Sequence, residues 1–312
     1  MMTADVSCIR GRFAPSPSGP LHFGSLIAAL GSYLNAKSRG GQWLVRMEDI
    51  DTPRMRPDAD TQILQALEAA ALEWDGAVVY QSQRHPHYET ALQHLQDAGL
   101  IYACDCNRAR LQQLGGVYDG YCAQRHLAWP NPQPVALRLH TGHTTLRSDD
   151  FFHDAVFGKV HISSDIQRDH YSIRRRDGLF SYQLVVVVDD LLQGITEVVR
   201  GADLIEMTTR QQALWRWLAE PLAHTTLAPP QYAHLPLAVA SAGFKLSKQN
   251  HAAALSSQQL PRLFSRALGV LGHMPPADLV GAPCWQQRDW ALQHWQLSKV
   301  PKVREVLVPE LA

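Results

Sequence analysis

The first fifty residues constrain this chain most. Residues 8–13 (Cys-Ile-Arg-Gly-Arg-Phe) read as a short strand, and a Pro-, Gly- and Ser-rich loop continues to Pro20. Over 24–38 the apolar residues Leu26, Ile27, Leu30, Tyr33 and Leu34 recur at helical spacing. Gly40-Gly41 stops that helix, and Trp43 to Met47 reads as a second strand. Strand, loop, helix and strand in so short a stretch make a βαβ unit, whose two strands must run parallel. The chain is therefore expected to be an α/β protein built on a parallel sheet, with its ligand at the carboxyl ends of the strands.

The loop itself suits phosphate. Gly19 and Gly24 allow close backbone approach. The helix after Gly24 offers unpaired N–H groups and a positive dipole end, with His22 just before it. A second cationic element lies far downstream. Phe244-Lys245-Leu-Ser-Lys248-Gln sets two lysines around a small hydroxyl residue, a pattern suited to a pyrophosphate leaving group.

Between them the chain changes character. A further helix is expected over 58–74 and another over 88–98. Residues 101–180 then bring cysteines, scattered His and Arg, and a Pro-rich break at 129–134. A strand is expected over 182–188, a helix over 208–220, a strand over 234–239, and mostly helix from about 256 onward. The expected layout is a first half of a Rossmann-type domain (1–100), an inserted subdomain (101–180), the second half of that domain (181–240), and a lysine loop with a helical C-terminal region (241–312).

Composition narrows the setting. The 312 residues carry 29 basic and 29 acidic side chains, unlike a nonspecific nucleic-acid binder, which is basic overall. A local patch can still bind RNA, and 168–176, with four arginines and His170, is the densest basic stretch. No apolar run approaches the roughly 18 residues of a membrane helix. The N-terminus shows no secretory leader, and there are five cysteines, an odd number. A reducing, cytoplasmic setting is therefore expected. Cys104, Cys106 and Cys122 cluster as a metal site would, with Asp105 and His126 as chemically reasonable fourth ligands.

Taken together, Pro15-Ser-Pro-Ser-Gly-Pro-Leu-His22-Phe-Gly24-Ser25 and Lys245-Leu-Ser-Lys248 resemble the two signature elements of the class I aminoacyl-tRNA synthetases. Ser25 replaces the second histidine of the first element. Gly11-Arg-Phe-Ala-Pro-Ser-Pro-Ser-Gly19, Arg46-Met-Glu-Asp-Ile-Asp51 and Val199-Arg-Gly-Ala-Asp203 resemble the glutamate and glutamine branch. The resemblance implies ATP-dependent amino-acid activation with Mg²⁺ accompanying ATP. It gives His22 and Lys248 catalytic roles on the phosphates, with Gly24, Ser25 and Lys245 also at the ATP site. Residues at the positions of Arg12, Ala14, Ser16, Glu48, Tyr182 and Arg200 line the glutamate pocket in that family. Chemistry agrees: arginines suit carboxylates, and Glu48 suits an ammonium group.

Only residues 249–312 follow Lys248, too few for the anticodon-binding region of a full glutamyl-tRNA synthetase. Gly115-Gly-Val-Tyr118-Asp-Gly120, Arg175-Arg-Asp-Gly-Leu-Phe180, Val187-Val-Asp-Asp190 and Lys245-Leu-Ser-Lys-Gln-Asn250 resemble the short paralogues that attach glutamate to queuosine in tRNA(Asp). That resemblance implies L-glutamate, ATP and queuosine-containing tRNA(Asp) as partners, no membrane partner, and a monomeric enzyme. It also implies one structural zinc held by Cys104, Cys106, Tyr118 and Cys122. Two other readings remain open at this point: an enzyme charging a tRNA 3′ end, and a noncatalytic tRNA-binding relative.

Overall fold

A computed structural model describes residues 9–141, 149–223, 228–241, 244–245 and 254–308. The βαβ unit forms as the sequence predicts. Strand β1 (Arg10–Phe13) leads through the Pro-rich loop into α1 (Phe23–Lys37) and then β2 (Gln42–Met47), which pairs parallel with β1. Helix α2 (Ala59–Ala69) and β3 (Val79–Tyr80) extend that sheet in the order β1-β2-β3. Helix α1 is buried nearly all round. Trp43 stacks near Phe13 at 6.2 Å between centroids and donates its ring N–H to Ser32 on α1, which locks helix to sheet.

Helix α3 (His85–Asp97) leads into the stretch that the sequence sets apart. Strand β4 (Ile101–Cys104), helix α4 (Arg108–Gln113), β5 (Ala136–Leu139), β6 (Phe151–Asp154), β7 (Gly158–His161), helix α5 (Ser164–Arg168) and β8 (Ser172–Arg174) follow. Strands β4, β5 and β8 form a small antiparallel sheet of their own. The β6–β7 hairpin goes elsewhere and joins the strands that come after this stretch.

Those strands are β9 (Glu197–Gly201), β10 (Gln231–Leu235), β11 (Leu237–Ser241) and β12 (Phe244–Lys245), with helices α6 (Tyr182–Leu192) and α7 (Thr208–Ala223) before β9 and β10. Strand β10 lies between β9 and β6, parallel to both. Strand β9 docks beside β1, where the Thr196 N–H donates to the Arg10 carbonyl at 3.0 Å. Helices α8 (Leu260–Val270) and α9 (Cys284–His294) cover α1, and β13 (Glu305–Leu307) pairs with β11.

Two expectations need correction. Residues 182–188 form the first two turns of helix α6, not a strand. The aliphatic run Leu184–Val188 is buried on every side, among α3, α7 and the β4–β5–β8 sheet, so it lacks the polar face that marks an ordinary helix. A short run of β-branched residues cannot be told from a buried strand by periodicity. The expected strand 234–239 is two strands broken at Pro236, which lacks the N–H that a continuous ladder requires.

The residues just past the valine run join the two parts of the core. On a helix, neighbouring side chains diverge by about 100°, so Asp189 and Asp190 at the end of α6 face different ways. Asp189 is fully buried and accepts from Gln81 at 2.8 Å, Arg84 at 2.6 Å and Tyr88 at 2.9 Å, on and beside α3. Asp190 turns to Arg12 on β1 and Arg46 on β2.

Candidate active site

The sequence folds the Pro-rich loop into a helix cap. His22 is the N-cap of α1 and accepts the Ser25 N–H on Nδ1 at 3.3 Å, which leaves its ring proton on Nε2. The histidine therefore both starts the helix and sits at its positive end, beside the backbone of Gly24 and Ser25. No acidic residue occupies the first turn. The chain returns to this point after the lysine loop: His22 bridges Ala254, and the Leu255 N–H donates to the Leu21 carbonyl at 3.0 Å. Strand β12 ends at Lys245, so the segment holding Lys248 starts from β12 and ends against His22. Lys248 itself lies outside the described residues, and of Lys245 only the backbone is described.

The acidic-substrate residues expected from the sequence gather at the ends of β1, β2, β9 and α6. Arg12 is buried and gives its Nε to Asp190 at 3.2 Å. Arg46, fully buried one strand over, lies 2.8 Å from Asp190 and 3.6 Å from Asp189. Burial opposes the charge on Asp190, but the two guanidinium groups outweigh it and hold the carboxyl below its usual range. Arg46 and the Asp189–Asp190 pair stand inside the motifs quoted above, but the sequence gives them no role of their own. Their signal was two adjacent carboxylates directly after an apolar run, a place where unpaired charge does not survive burial.

Glu48 is different. Its Oε1 is buried and accepts no hydrogen bond, and Arg46 is 3.8 Å away. Burial pushes its carboxyl up to about 7, with Asp190 and Asp189 adding to the rise and Arg46 and Arg12 pulling against it. An orphaned acidic oxygen next to buried arginines is able to accept from an incoming hydrogen-bond donor.

Arg200, on β9, completes the set. Its Nε donates to His234 Nε2 at 3.0 Å, one Nη to Gln211 Oε1 at 2.7 Å, and the other to Thr208 Oγ1 at 2.9 Å and the Leu204 carbonyl at 3.1 Å. All four acceptors are uncharged, so the guanidinium is oriented without being neutralised. Tyr182, at the start of α6, feels the charges of Arg200, Glu48 and Arg12, and burial raises its hydroxyl pKa first of all. Tyr182, Arg12, Glu48 and Arg200 thus share one site. Ala14 is half-buried in the loop after β1, and Ser16 is exposed there.

The cysteine cluster lies in the small sheet. The sulfurs of Cys104, Cys106 and Cys122 lie within 4.8 Å of one another. The Tyr118 hydroxyl reaches Cys104 Sγ at 3.4 Å and Cys106 Sγ at 3.3 Å. Asp105 pairs with Arg125 at 2.5 Å and its Oδ1 also accepts from Cys122 Sγ at 3.5 Å. Three thiols and a phenol oxygen converging on one point are a donor set able to hold a soft or borderline metal ion. The basic stretch 168–176 is tied down nearby. Arg174 pairs with Glu89, Arg175 with Asp51 and Asp177, and Arg176 holds the Asp105 carbonyl.

The Glu48 geometry makes a stability prediction. A carboxyl whose pKa rises on folding stabilises fully below its unfolded value, here 4.5, and loses that contribution as pH rises through about 7. Glu48→Gln is expected to unfold at higher urea concentration than the wild type at pH 8, by up to about 3 kcal/mol, with no gain near pH 4. A variant less stable at pH 8 would show that Glu48 is a satisfied structural ion-pair partner instead.

Comparison with known proteins agrees with this arrangement. Residues 8–263 match the family model described as tRNA synthetases class I (E and Q), catalytic domain. A protein of Serratia proteamaculans (strain 568) named glutamyl-Q tRNA(Asp) synthetase is 49% identical over 306 residues, covering 96% of this chain and 94% of its own. One of the same name from Escherichia coli (strain K12) is 48% identical over 292 residues, covering 94% and 90%. In fold, a glutamate-tRNA synthetase from Elizabethkingia anophelis superposes with a TM-score of 0.75 at 22% identity, over 96% of this chain and 68% of that one. The chain belongs to the class I tRNA synthetases of the glutamate and glutamine type.

Proposed function

We propose that the chain activates L-glutamate with ATP and transfers the glutamyl group to queuosine at the anticodon wobble position of tRNA(Asp). The observation that carries this reading is Arg200, oriented by four uncharged acceptors and so left with its charge for a carboxylate. Near-half identity along almost the whole length of relatives named for that activity supports the acceptor.

In the first step a glutamate carboxylate oxygen attacks the α-phosphorus of ATP, and pyrophosphate leaves with the electrons of the broken P–O bond. In the second, a hydroxyl of queuosine attacks the carbonyl of the mixed anhydride, and AMP leaves. The chain's part is positioning and charge. Arg12 and Arg200 take the carboxylates, the vacant oxygen of Glu48 takes the ammonium, and Tyr182 adds a hydroxyl, with Ala14 and Ser16 closing the loop side. The Nε2 proton of His22 and the amides of Gly24 and Ser25 meet the triphosphate at the amino end of α1. Lys245 and Lys248 steady the departing pyrophosphate. Mg²⁺ enters with ATP as part of the substrate.

The stretch 101–180, apart from the β6–β7 hairpin, serves as the inserted subdomain, and Cys104, Cys106, Tyr118 and Cys122 hold one zinc there. With four protein ligands the ion is structural and ties β4 to the turn at Cys122. Purified protein is expected to carry about one zinc per chain. Cys122→Ser should lose it and melt several degrees lower, with residual activity at low temperature. Metal-free protein with unchanged melting would contradict the zinc assignment.

The acceptor is tested by incubating the protein with labelled glutamate, ATP and tRNA(Asp) with or without queuosine. Label should enter only the modified tRNA and stay on the anticodon loop after nuclease digestion. Label on the 3′ end would instead establish an acceptor-charging enzyme. Absence of any glutamate-dependent pyrophosphate exchange would point to a noncatalytic relative.

A further inference from the structure

Next to Arg200 lies a buried histidine–aspartate pair that the activation chemistry does not use. His234 on β10 is fully buried, and its Nδ1 lies 2.6 Å from Asp154 Oδ2 at the end of β6. The ring packs beside Phe152 at 6.0 Å and Tyr232 at 6.2 Å between centroids, and Tyr232 also lies beneath the Arg200 guanidinium at 5.0 Å. The β6–β7 hairpin thus leaves the small sheet's part of the sequence and places one carboxylate behind β10.

The hydrogen-bond pattern fixes the tautomer. Arg200 Nε can only donate, so His234 Nε2 must accept. The single proton of a neutral ring then sits on Nδ1 and goes to Asp154. Burial and the nearby Arg200 hold His234 in that neutral form, with its pKa near 4, well below pH 7.

We propose that Asp154 acts through His234 as a positioning residue for Arg200: by taking the Nδ1 proton it keeps Nε2 an acceptor, and so fixes the guanidinium at the angle that receives the substrate carboxylate. This rests on the assignment of Arg200 to the glutamate site.

Asp154→Asn isolates the effect, because the backbone dictates how the amide points. Asp154 Oδ1 accepts the Val156 N–H at 2.9 Å and the Phe157 N–H at 3.0 Å. The asparagine oxygen must keep those two bonds, so its NH₂ takes the Oδ2 position and faces His234 Nδ1. The ring is then forced to carry its proton on Nε2, and two donors meet at Arg200. Shape is kept and only the direction of one hydrogen bond is reversed.

The test combines ¹⁵N NMR of histidine-labelled protein with glutamate-dependent ATP–pyrophosphate exchange. In the wild type, His234 should show a protonated Nδ1 and an unprotonated Nε2, and Asp154→Asn should reverse the two. The variant's KM for glutamate should rise about tenfold or more, with the KM for ATP nearly unchanged. A protonated Nε2 in the wild type would overturn the proposal whatever Arg200 binds. So would an unchanged glutamate KM in Asp154→Asn when Arg200→Ala raises it strongly. If Arg200→Ala itself leaves the glutamate KM unchanged, the assignment of Arg200 falls and the functional half of the proposal falls with it, while the NMR result stands apart.

Should Asp154→Asn fail to fold, two substitutions of the histidine decide. His234→Gln can still accept from Arg200 and donate to Asp154, whereas His234→Phe keeps only the ring packing. The proposal requires the glutamine variant to hold a glutamate KM closer to wild type. A phenylalanine variant as good as or better than glutamine would reduce the pair to core packing.

Discussion

Asp189 and Asp190, two neighbouring carboxylates at the end of a buried helix, tie this molecule together. Arg12 and Arg46 come to them from the first two strands, Arg84 and Tyr88 from the helix before the inserted stretch. Burying such a cluster gains little net stability over an apolar core, whereas removing one member leaves a buried charge uncompensated and costs about 3–5 kcal/mol. What the cluster supplies is arrangement. It holds Arg12 in place, and it joins the α1 side of the core to the α3–α6–α7 side.

Arg12 and Arg200, the two arginines proposed to meet the substrate, are supported in opposite ways. Arg12 is backed by a carboxylate and is partly neutralised by it. Arg200 is backed by a neutral imidazole, an amide, a hydroxyl and a carbonyl, so its charge is undiminished. Glu48 lies near them with a buried oxygen unsatisfied and its pKa near neutrality. One compensated cation, one uncompensated cation and one vacant anion complement an amino acid with two carboxylates and one ammonium. Preorganisation of this kind places the cost of desolvation in folding instead of in binding.

The sequence showed the candidate site residues better than the residues that support them. Arg12, Glu48 and Arg200 stand in motifs that match the family's pattern, and the βαβ unit is legible because the apolar spacing of α1 matches its period. Helix α6 was misread because its burial on all sides removes the amphipathic contrast that marks a helix. Asp154 and His234 lie eighty positions apart in sequence and meet only because β6 crosses to pair beside β10. No local pattern announces a contact made by sheet order. Cys104, Cys106 and Cys122 converge as their spacing suggested, with the Tyr118 hydroxyl beside Cys104 and Cys106 and the Asp105 carboxylate beside Cys122.

The central claim is that this pocket selects a side-chain carboxylate by charge. The most direct measurement is ATP–pyrophosphate exchange with L-glutamate against L-glutamine, which has nearly the same shape without the charge. The account predicts kcat/KM for glutamate at least about a hundredfold higher, since glutamine would leave a buried guanidinium facing an uncharged amide. Comparable exchange with the two amino acids would contradict it.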